Sequence, residues 1–561
     1  MRISWAVLEQ RVVHHDRLCL ATRLVLIASS FLAVLVARAQ AQDADRVIRD
    51  QTTVIERFEP PPRRPPSITV THAAPVAGLS PEQLKTIRFR LRKIDLEGAV
   101  TLDPAIFSTL WGKLIGREVS LLDMKEIIDG IERIYREHDY YAAALVPQQD
   151  FSSGRIRIIV YESYLRDVVV ESDQPGLEER LKPYIARMVA ERPVRVSHLE
   201  RYALLVADIP GFTVEAKLSK VEDDPAAGRL VLKVDFKRSG LDARLDNLGT
   251  PSTGPLQLSG IARVNDALGL FEGTEALAVT NPADPDELVF LRFGQAFPLG
   301  PSGFVAGYEF GQVWSNPLDD DDIHVGSTFG KAFLNYAIVR AIEHNLFAKF
   351  AINTKDVAVD VNGDPAARNS NRWLTAAATF DTTIGGVAVV AEAGLGQGLS
   401  GLGSNTENAD FTYMFGEGTL SRDITDTLSA QLQFTGQYAF TELPSAVRFD
   451  LGGDPYSRAF DSSSITGDDG IAAALELRKG IDAVMPWLAN PSLFGFVDYG
   501  AVWNPPGRDY EFDSLGSVGI GIRAGIGTRL NVLAYVATPY KDEAQLGVEG
   551  ALFRVAAGVR F

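Results

Sequence analysis

The chain has 561 residues and a formal net charge of −17, with 72 acidic against 55 basic side chains. That length allows several domains, or one large barrel with appendages, and a sizeable core. No cluster of lysine and arginine stands out that would neutralise a nucleic-acid backbone, so we expect no nucleic-acid partner.

The first segment has the pattern of a secretory leader. Arg17 and Arg23 precede an apolar run over residues 24–36, and small-x-small sequences come next at 37–41. The run is shorter than the roughly 20 residues that a helix needs to cross a membrane. The sequence therefore predicts a signal peptide over residues 1–41. It contains Cys19, the single cysteine of the chain, so the mature protein would have no disulfide.

Residues 42–80 predict a short helix and a linker. Apolar side chains between 43 and 59 recur at roughly helical spacing, and the proline-rich run at 60–66 ends any helix and makes a stiff linker. We expect an amphipathic N-terminal helix that could plug a pore. A disordered N-terminus is the alternative, because composition alone does not separate the two.

Two tandem α/β modules are predicted next, over residues 81–163 and 164–238. Helical segments with a period near 3.6 alternate with strand segments of period two, so helices must cover one face of each small sheet. Ser197 and Glu200 match a capping box at a helix start. The predicted elements are strands at 88–96, 141–146 and 155–161 with helices near 103–115 and 121–138, then strands at 168–170, 212–218 and 229–236 with helices at 177–189 and 197–209.

Residues 239–561 have the pattern of short alternating strands. In residues 427–440, apolar and polar side chains occupy opposite faces along the whole segment. A soluble sandwich would show the same alternation, but about 320 residues of such segments would fill a barrel of roughly 16 strands. We therefore predict a mainly β fold: a 16-stranded transmembrane antiparallel barrel preceded by two small α/β domains.

The last strand alternates up to a terminal aromatic residue, Phe561. This ending resembles the C-terminal assembly signal of bacterial outer-membrane proteins. A closing strand must present an apolar face to lipid and seal the sheet edge, because unpaired amides in hydrocarbon are costly. The resemblance implies outer-membrane lipid as the surroundings and the barrel-assembly machinery as a partner during biogenesis.

Two motifs in the modules carry a more specific resemblance. Residues 141–149 (YAAALVPQQ), with Ser-Gly-Arg-Ile after them at 153–156, resemble the first polypeptide-transport-associated (POTRA) domain of the two-partner secretion transporters of the ShlB/FhaC/HecB type. Residues 199–211 (LERYALLVADIPG) resemble the second. The resemblance implies that these motifs belong to a substrate-recognition region, which would include Pro147, Gln148, Gln149, Arg201, Pro210 and Gly211.

A third motif resembles the long loop of the same family. Residues 451–460 (LGGDPYSRAF) keep Arg458, but Ala459 and Phe460 replace the Gly-Tyr of the usual Val-Arg-Gly-Tyr. The family's partner strand reads Phe-x-Asp-x-Gly and corresponds here to Phe496, Asp498 and Gly500. We expect Arg458 to meet Asp498 inside the barrel and to pin the loop there. The alternative is a solvated arginine and an ordinary lumen carboxylate.

Other chemistry is weakly supported. Four consecutive aspartates at 319–322 cannot all point at one calcium ion, and the histidines lack metal-ligand spacing. Residues 326–331 depart from the spacing of a phosphate-binding loop, and no nucleophile motif is found. We expect no metal, no cofactor and no enzymatic activity.

The resemblance implies an outer-membrane transporter, with its POTRA domains in the periplasm, that secretes one large haemolysin- or adhesin-type exoprotein without nucleotide. A monomer is expected. Two alternatives remain open: a factor that inserts barrel proteins into the membrane, and a passive porin, which would have no need of tandem binding modules.

Overall fold

The computed structural model describes residues 55, 57, 58, 64–66, 69–72, 80–221, 223–316, 323–406, 408–483, 485–504, 512–548 and 550–561. The predicted signal peptide, most of the predicted N-terminal helix and the four aspartates at 319–322 lie outside this described part. The described residues form an N-terminal α/β region and a closed β-barrel.

The first α/β unit has a three-stranded sheet in the order β3-β6-β5 and a small β2-β4 pair. Its helix α2 buries Ile127, Ile131 and Tyr135 against Ile156 and Ile158 of the sheet. The elements up to this point are β1 (Thr69–His72), α1 (Pro81–Thr86), β2 (Arg88–Arg90), β3 (Lys93–Glu97), a 3₁₀ helix (Pro104–Leu110), β4 (Glu118–Ser120), α2 (Leu121–Glu137), β5 (Ala142–Leu145) and β6 (Arg155–Glu162).

Two predicted elements of this unit differ from the structure. The strand predicted at 88–96 is two strands, β2 and β3, which pair with different partners. The helix predicted at 103–115 is a 3₁₀ helix that ends at Leu110. The signals for a helix start are present, because Asp103 caps the helix and Pro104 directly follows the cap. The segment nevertheless forms a short 3₁₀ helix, which covers the buried ring of Phe107.

The second α/β unit packs two helices on a sheet in the order β1-β8-β9-β7. Its elements are β7 (Tyr164–Glu171), α3 (Leu177–Val189), α4 (Val196–Ala207), β8 (Phe212–Val221) and β9 (Asp224–Phe236). The capping box predicted at α4 is wrong. The helix begins at Val196, the hydroxyl of Ser197 donates to Asp139, and Glu200 accepts from the backbone nitrogen of Ile342.

Sixteen antiparallel strands close the barrel, as predicted, and the first strand pairs with the last. They are β10 (Ser239–Asp246), β11 (Gln257–Asn265), β12 (Gly273–Thr280), β13 (Leu288–Pro298), β14 (Phe304–Ser315), β15 (Ile323–Arg340), β16 (His344–Val361), β17 (Asp364–Ile384), β18 (Val387–Gly398), β19 (Thr412–Asp423), β20 (Leu428–Ala439), β23 (Asp469–Gly480), β24 (Leu488–Trp503), β25 (Phe512–Ile526), β26 (Leu530–Asp542) and β27 (Leu552–Arg560). The strands β21 (Phe449–Leu451) and β22 (Ile465–Gly467) form a separate hairpin between β20 and β23.

The barrel inverts the burial pattern of a soluble protein. Phe350, Ile520 and Phe553 are exposed on its outer surface, whereas Asn371 and Asp498 are buried on its inner one. Period-two alternation produces this arrangement because successive side chains point to opposite faces of a strand. The outer surface therefore suits lipid and the lumen suits polar contacts.

None of the helices in the described residues is long and apolar enough to cross a membrane.

Candidate functional site

The long connection between β20 and β23 folds back into the barrel. Its tip buries Arg458 and Phe460, which are 3% and 1% exposed. Phe460 packs in a cluster with the β21 residues Phe449 and Leu451 and with inward-facing side chains of the wall, including Phe496. The loop therefore occupies part of the lumen, and its arginine is enclosed.

The side chain of Arg458 does not form a hydrogen bond with Asp498, the predicted partner, and binds other carboxylates instead. Its Nη1 donates to Oε2 of Glu476 at 3.3 Å, and its Nε lies 3.0 Å from Oδ1 of Asp454. The distance from Nε to Oδ2 of Asp498 is 3.9 Å, an ion-pair contact without a hydrogen bond. The guanidinium also stacks over the ring of Phe496, 4.1 Å from its centre. The predicted pair is thus brought together, but with Glu476 as the closer wall partner.

Asp498 instead holds the loop through its backbone. Its Oδ1 accepts hydrogen bonds from the nitrogen of Ser457 at 2.9 Å and from the nitrogen and hydroxyl of Ser517. Its Oδ2 has no hydrogen-bond partner among the described residues. Because Ser457 directly precedes Arg458, the carboxylate fixes the turn that presents the arginine.

Glu476 is a residue to which the sequence assigns no role, although the Leu475-Glu476-Leu477 segment resembles the strand that follows the family's long loop. It lies on β23, 6% exposed by side chain, and receives hydrogen bonds from Arg458, Arg478 and Arg523. Arg523 also stacks on Phe494, with 4.2 Å from its guanidinium carbon to the ring centre. One carboxylate among three guanidinium groups forms a charge network that crosses from the loop to two wall strands. In the sequence, Glu476 is a charged residue between Leu475 and Leu477. Other lumen-facing positions show the same pattern, so the pattern does not single out this residue.

Two wall glycines make room for the β21–β22 hairpin. A Cβ atom at Gly500 would lie 2.5 Å from Cδ1 of Leu451, and one at Gly470 would overlap the ring of Phe449. Real Cβ atoms do not approach neighbours so closely, so the wall needs glycine where the hairpin seats. This places the predicted Gly500 in direct contact with the inserted loop.

The N-terminal segment also reaches the lumen. Nη2 of Arg57 donates to Asp246 and Nη1 donates to Gln257, both at 2.6 Å. Ile55 and Phe58 pack against a cluster of inward-facing apolar side chains on the wall, and Arg292 donates to the carbonyl of Phe58 at 2.9 Å. The cavity left between this segment and the inserted loop has a volume of about 910 Å³ and is lined by charged residues of both signs.

The linker beyond that segment joins the second α/β unit. Strand β1 pairs in parallel with β8, with Thr69 opposite Glu215 and His72 opposite Leu218. The linker thereby occupies an edge of this sheet. In the first unit, β3 is an edge strand that pairs with β6, and residues of both strands line a groove together with Pro104 and Trp111.

The predicted recognition residues fall into two groups. Gln148 is exposed beside Pro147, while Gln149 both accepts from the nitrogen and donates to the carbonyl of Arg157, continuing the sheet past β5. Arg201 contacts barrel backbone carbonyls, including that of Ala337 at 2.8 Å.

Pro210 and Gly211 belong with Arg201, because they also lie against the barrel. Side-chain atoms of Pro210 approach Gly273, and Gly211 sits where a Cβ would meet Lys237 and Asn265. Its φ of +84° also favours glycine. These three residues thus occupy the junction between the second unit and the barrel.

Phe561 lies at the strand seam that closes the barrel. Its side chain is exposed on the outer surface, and its nitrogen donates to the carbonyl of Leu241 on the first strand at 2.8 Å. Among the residues described, no group of three or more histidine, cysteine, aspartate or glutamate side chains could hold a metal ion.

Comparison with protein families matches two parts of the chain. Residues 304–524 match the family "Haemolysin secretion/activation protein ShlB/FhaC/HecB", and residues 89–163 match the POTRA domain of ShlB type. The heme/hemopexin transporter protein HuxB of Haemophilus influenzae is 25% identical over 158 residues, 28% of this chain and 28% of that protein. The match therefore spans well under two thirds of the relative.

Solved structures share the whole architecture. CdiB from Escherichia coli has a TM-score of 0.70 at 15% identity, covering 94% of this chain and 98% of that one. CdiB from Acinetobacter baumannii has a TM-score of 0.61 at 14% identity with the same coverage. BamA from Haemophilus ducreyi, lacking POTRA domains 1–3, reaches 0.52 at 14% identity, covering 84% of this chain and 100% of that one. At these identities the likeness concerns the fold.

Proposed function

Because this chain belongs to the ShlB/FhaC/HecB family of haemolysin secretion/activation proteins, we propose that it exports one large partner protein across the outer membrane. It is an outer-membrane β-barrel with its POTRA region in the periplasm. The proposed partner is a secreted exoprotein of haemolysin or adhesin type, which would pass through the lumen unfolded. Export would run without nucleotide, driven by binding in the periplasm and folding outside.

The observation that carries this proposal is a lumen occupied by two elements that are separate from the wall. Residues 55, 57 and 58 and the β20–β23 loop each bind the wall through charged hydrogen bonds and through apolar packing. The charged contacts can be exchanged for contacts with water or with a passing polypeptide at modest cost, because the lumen supplies donors and acceptors of both signs. A barrel occupied in this way can open without unfolding its wall.

We further propose that the network around Arg458 sets the resting position of the loop. Glu476 neutralises the arginine, Asp498 fixes the preceding turn, and Phe460 seals the apolar side of the tip. Phe460 lacks the hydroxyl group of the tyrosine in the family motif. Its ring is fully enclosed in an apolar cluster, where a hydroxyl group is not needed for packing. In this chain the tip would be held by charge and packing together.

Partner recognition is proposed for the periplasmic units, by strand addition. An exposed sheet edge binds extended chains through main-chain hydrogen bonds, and neighbouring pockets select side chains. The parallel pairing of β1 with β8 supports this mode, because an extended segment already lies on that edge. The groove along β3 offers charged groups of both signs, together with the apolar side chains of Pro104 and Trp111, for contacts with such a chain. Gln148 would lie near the end of the same sheet.

Co-expression tests the proposal directly. A candidate large secreted protein encoded beside this chain would be produced with and without it, and its amount in the medium measured. We expect export only when the chain is present. If loss of the chain instead lowers unrelated barrel proteins in the outer membrane while the candidate is still secreted, the insertion-factor alternative is correct.

The passive porin alternative has its own readout. A porin would conduct small ions through the unmodified chain in a planar bilayer at all times, independently of any partner. The proposed transporter should be mostly closed, because two elements lie within its lumen. Assembly by the barrel-assembly machinery and a monomeric state complete the proposal and can be checked by depletion of that machinery and by sedimentation in detergent.

A further inference from the structure

Arg340 lies at the periplasmic end of β15, where the barrel meets the second POTRA unit. Its side chain is 1% exposed. Its Nε and Nη2 donate to the two carboxylate oxygens of Asp208, at 2.9 and 2.7 Å. Asp208 is the C-cap of α4. An ion pair with two hydrogen bonds, between an enclosed arginine and a partly exposed carboxylate, therefore joins the barrel to this unit.

The same guanidinium also holds the proline-rich linker. Its Nη2 donates to the carbonyl of Pro66, and its Nη1 donates to Oδ1 of Asn345 at 3.0 Å. Asn345 donates in turn to Asp381 at 2.8 Å, and the other oxygen of Asp381 accepts from Nε of Arg64, also at 2.8 Å. Linker residues 64–66 are thus fastened at two points to one connected network.

The two fastenings differ in strength. The side chain of Arg64 is 47% exposed, and an ion pair of that exposure contributes only about 0–1 kcal/mol. Arg64 also donates to the carbonyl of Thr382 and to the hydroxyl of Thr383. The bond to Pro66 is made by a guanidinium that is only 1% exposed, so water competes with it less than with the bonds of Arg64. The position of Arg340 therefore contributes to where the linker rests, together with Arg64.

Other contacts across this junction lie apart from the linker. Arg180 pairs with Asp266 at 2.6 Å and stacks on Phe271, with its guanidinium carbon 3.9 Å from the ring centre. Arg201 binds barrel carbonyls. Each ties the second unit to the barrel, and in the described residues their bonds go to the barrel alone.

We propose that Arg340 is a positioning residue that couples the second POTRA unit to the N-terminal segment. A partner that binds this unit and draws Asp208 away would leave a buried cation without its carboxylate. That state is strongly unfavourable, so the guanidinium must turn toward water or toward Asp381. Either movement breaks its bond to Pro66, and competition for Asp381 also weakens Arg64. The linker and the segment that contains Ile55, Arg57 and Phe58 are then freed. The biological role of this coupling rests on the proposed export function, whereas the coupling itself can be measured without export.

Tryptic cleavage of the purified full-length chain in detergent tests the coupling without any partner. Cleavage after Arg57, which binds the wall, and after Arg63, which directly precedes the bound Arg64, should rise when the segment and linker leave their sites, whereas the bond between Arg64 and Pro65 resists trypsin. We expect Arg340→Gln and Asp208→Asn to raise cleavage at the first two bonds about fivefold or more, the lower end of typical coupling factors. Asp208→Asn is the decisive variant, because among the described residues Asp208 makes no hydrogen bond to the linker.

Asp266→Asn is the matched control. It removes one carboxylate from the same junction, so it should leave cleavage at both bonds unchanged. Arg340→Lys keeps the charge but cannot reach Asp208 and Pro66 together, so it should resemble Arg340→Gln. A retained heat-dependent gel shift shows that each barrel is folded. Unchanged cleavage in Asp208→Asn, or an equal increase in Asp266→Asn, would overturn the proposal. A failure of export with the cleavage pattern intact would instead count against the proposed function alone.

Discussion

Asp498 accepts a hydrogen bond from the backbone nitrogen of Ser457 at 2.9 Å, one residue before the arginine with which it lies in ion-pair contact. Two carboxylates therefore have different roles: Asp498 fixes the backbone of the loop, and Glu476 binds the guanidinium group of Arg458. This division makes the two carboxylates separable by mutation.

A double-mutant cycle should show stronger coupling of Arg458 to Glu476 than to Asp498. The first pair is hydrogen-bonded at 3.3 Å, whereas the second is 3.9 Å apart without a hydrogen bond. Contacting pairs couple by about 0.5–3 kcal/mol, and we expect the Glu476 pair in the upper half of that range and the Asp498 pair at its lower end. The free energy of loop opening, from hydrogen exchange of residues 449–467, provides the measurement.

Glu392→Gln serves as the control for charge removal in the lumen, because Glu392 pairs with Lys349 on another part of the wall. It should leave exchange in the loop unaltered. Equal coupling of Arg458 to both carboxylates would mean that the loop is held by the combined negative charge of the two carboxylates. The hydrogen bond to Glu476 would then have no special role.

Removal of Asp246 should release the N-terminal segment. Asp246 is nearly fully buried and pairs with Arg57, so Asp246→Asn leaves an enclosed cation with a neutral partner at a cost of a few kcal/mol. We expect channel openings in planar bilayers to become at least about tenfold more frequent, which corresponds to about 1.4 kcal/mol. Asp242→Asn on the same strand and face is the control, since Asp242 pairs with Arg263 and Arg560. If both variants conduct alike, Arg57 does not hold the segment.

The barrel could be predicted from sequence, because alternation repeats in every strand and the sum over many strands identifies a closed sheet. The contacts inside the lumen could not be predicted in the same way. Glu476 and Glu392 look alike in sequence, each an acidic residue between two apolar neighbours in an alternating strand, and only the return path of the loop distinguishes them. The family motif supplied Arg458, Asp498 and Gly500, but not the residue that binds Arg458 more closely.

Local signals failed where a distant group competed for them. Ser197 and Glu200 have the spacing of a capping box, but Asp139 and the turn before β16 take their hydrogen bonds. At Ser120 and Asp123 the same signal does form a capping box, since no outside partner intervenes there. Spacing along the chain thus predicts a cap only where tertiary contacts leave both side chains free to form it.

Adding a methyl group at the wall glycines should unseat the β21–β22 hairpin. Gly470→Ala would drive Cβ into the ring of Phe449, and Gly500→Ala would meet Leu451. Overpacking of this kind costs about 1–3 kcal/mol, so faster hydrogen exchange across residues 449–467 is expected. Gly495→Ala on β24 is the control, because the nearest atoms to its Cβ would be 3.9 Å away. A loop that stays protected in Gly470→Ala would show that the wall can yield at that position.

Glu162 should stabilise the first POTRA unit in a pH-dependent manner. Burial alone would raise the pKa of this carboxyl, but hydrogen bonds from Thr101, Val100 and Tyr135 outweigh that effect and lower its pKa. A carboxylate with a lowered pKa adds stability above its ordinary pKa of 4.5 and loses it as the pH falls through the lowered value. Glu162→Gln should therefore cost about 1–2 kcal/mol at neutral pH and less in acid.

The measurement is the urea concentration at which the amides of α2 lose protection from hydrogen exchange, taken on the full-length chain at several pH values. The midpoint of Glu162→Gln should lie below that of the unmodified chain at pH 7, and the two should converge as the pH falls below 4.5. Glu137→Gln, at the exposed end of the same helix, should shift neither curve, because its pair with Arg133 is solvated. A difference in urea midpoint between Glu162→Gln and the unmodified chain that stays the same in acid would be the contrary result. It would mean that the substitution acts through packing and not through the charge of Glu162.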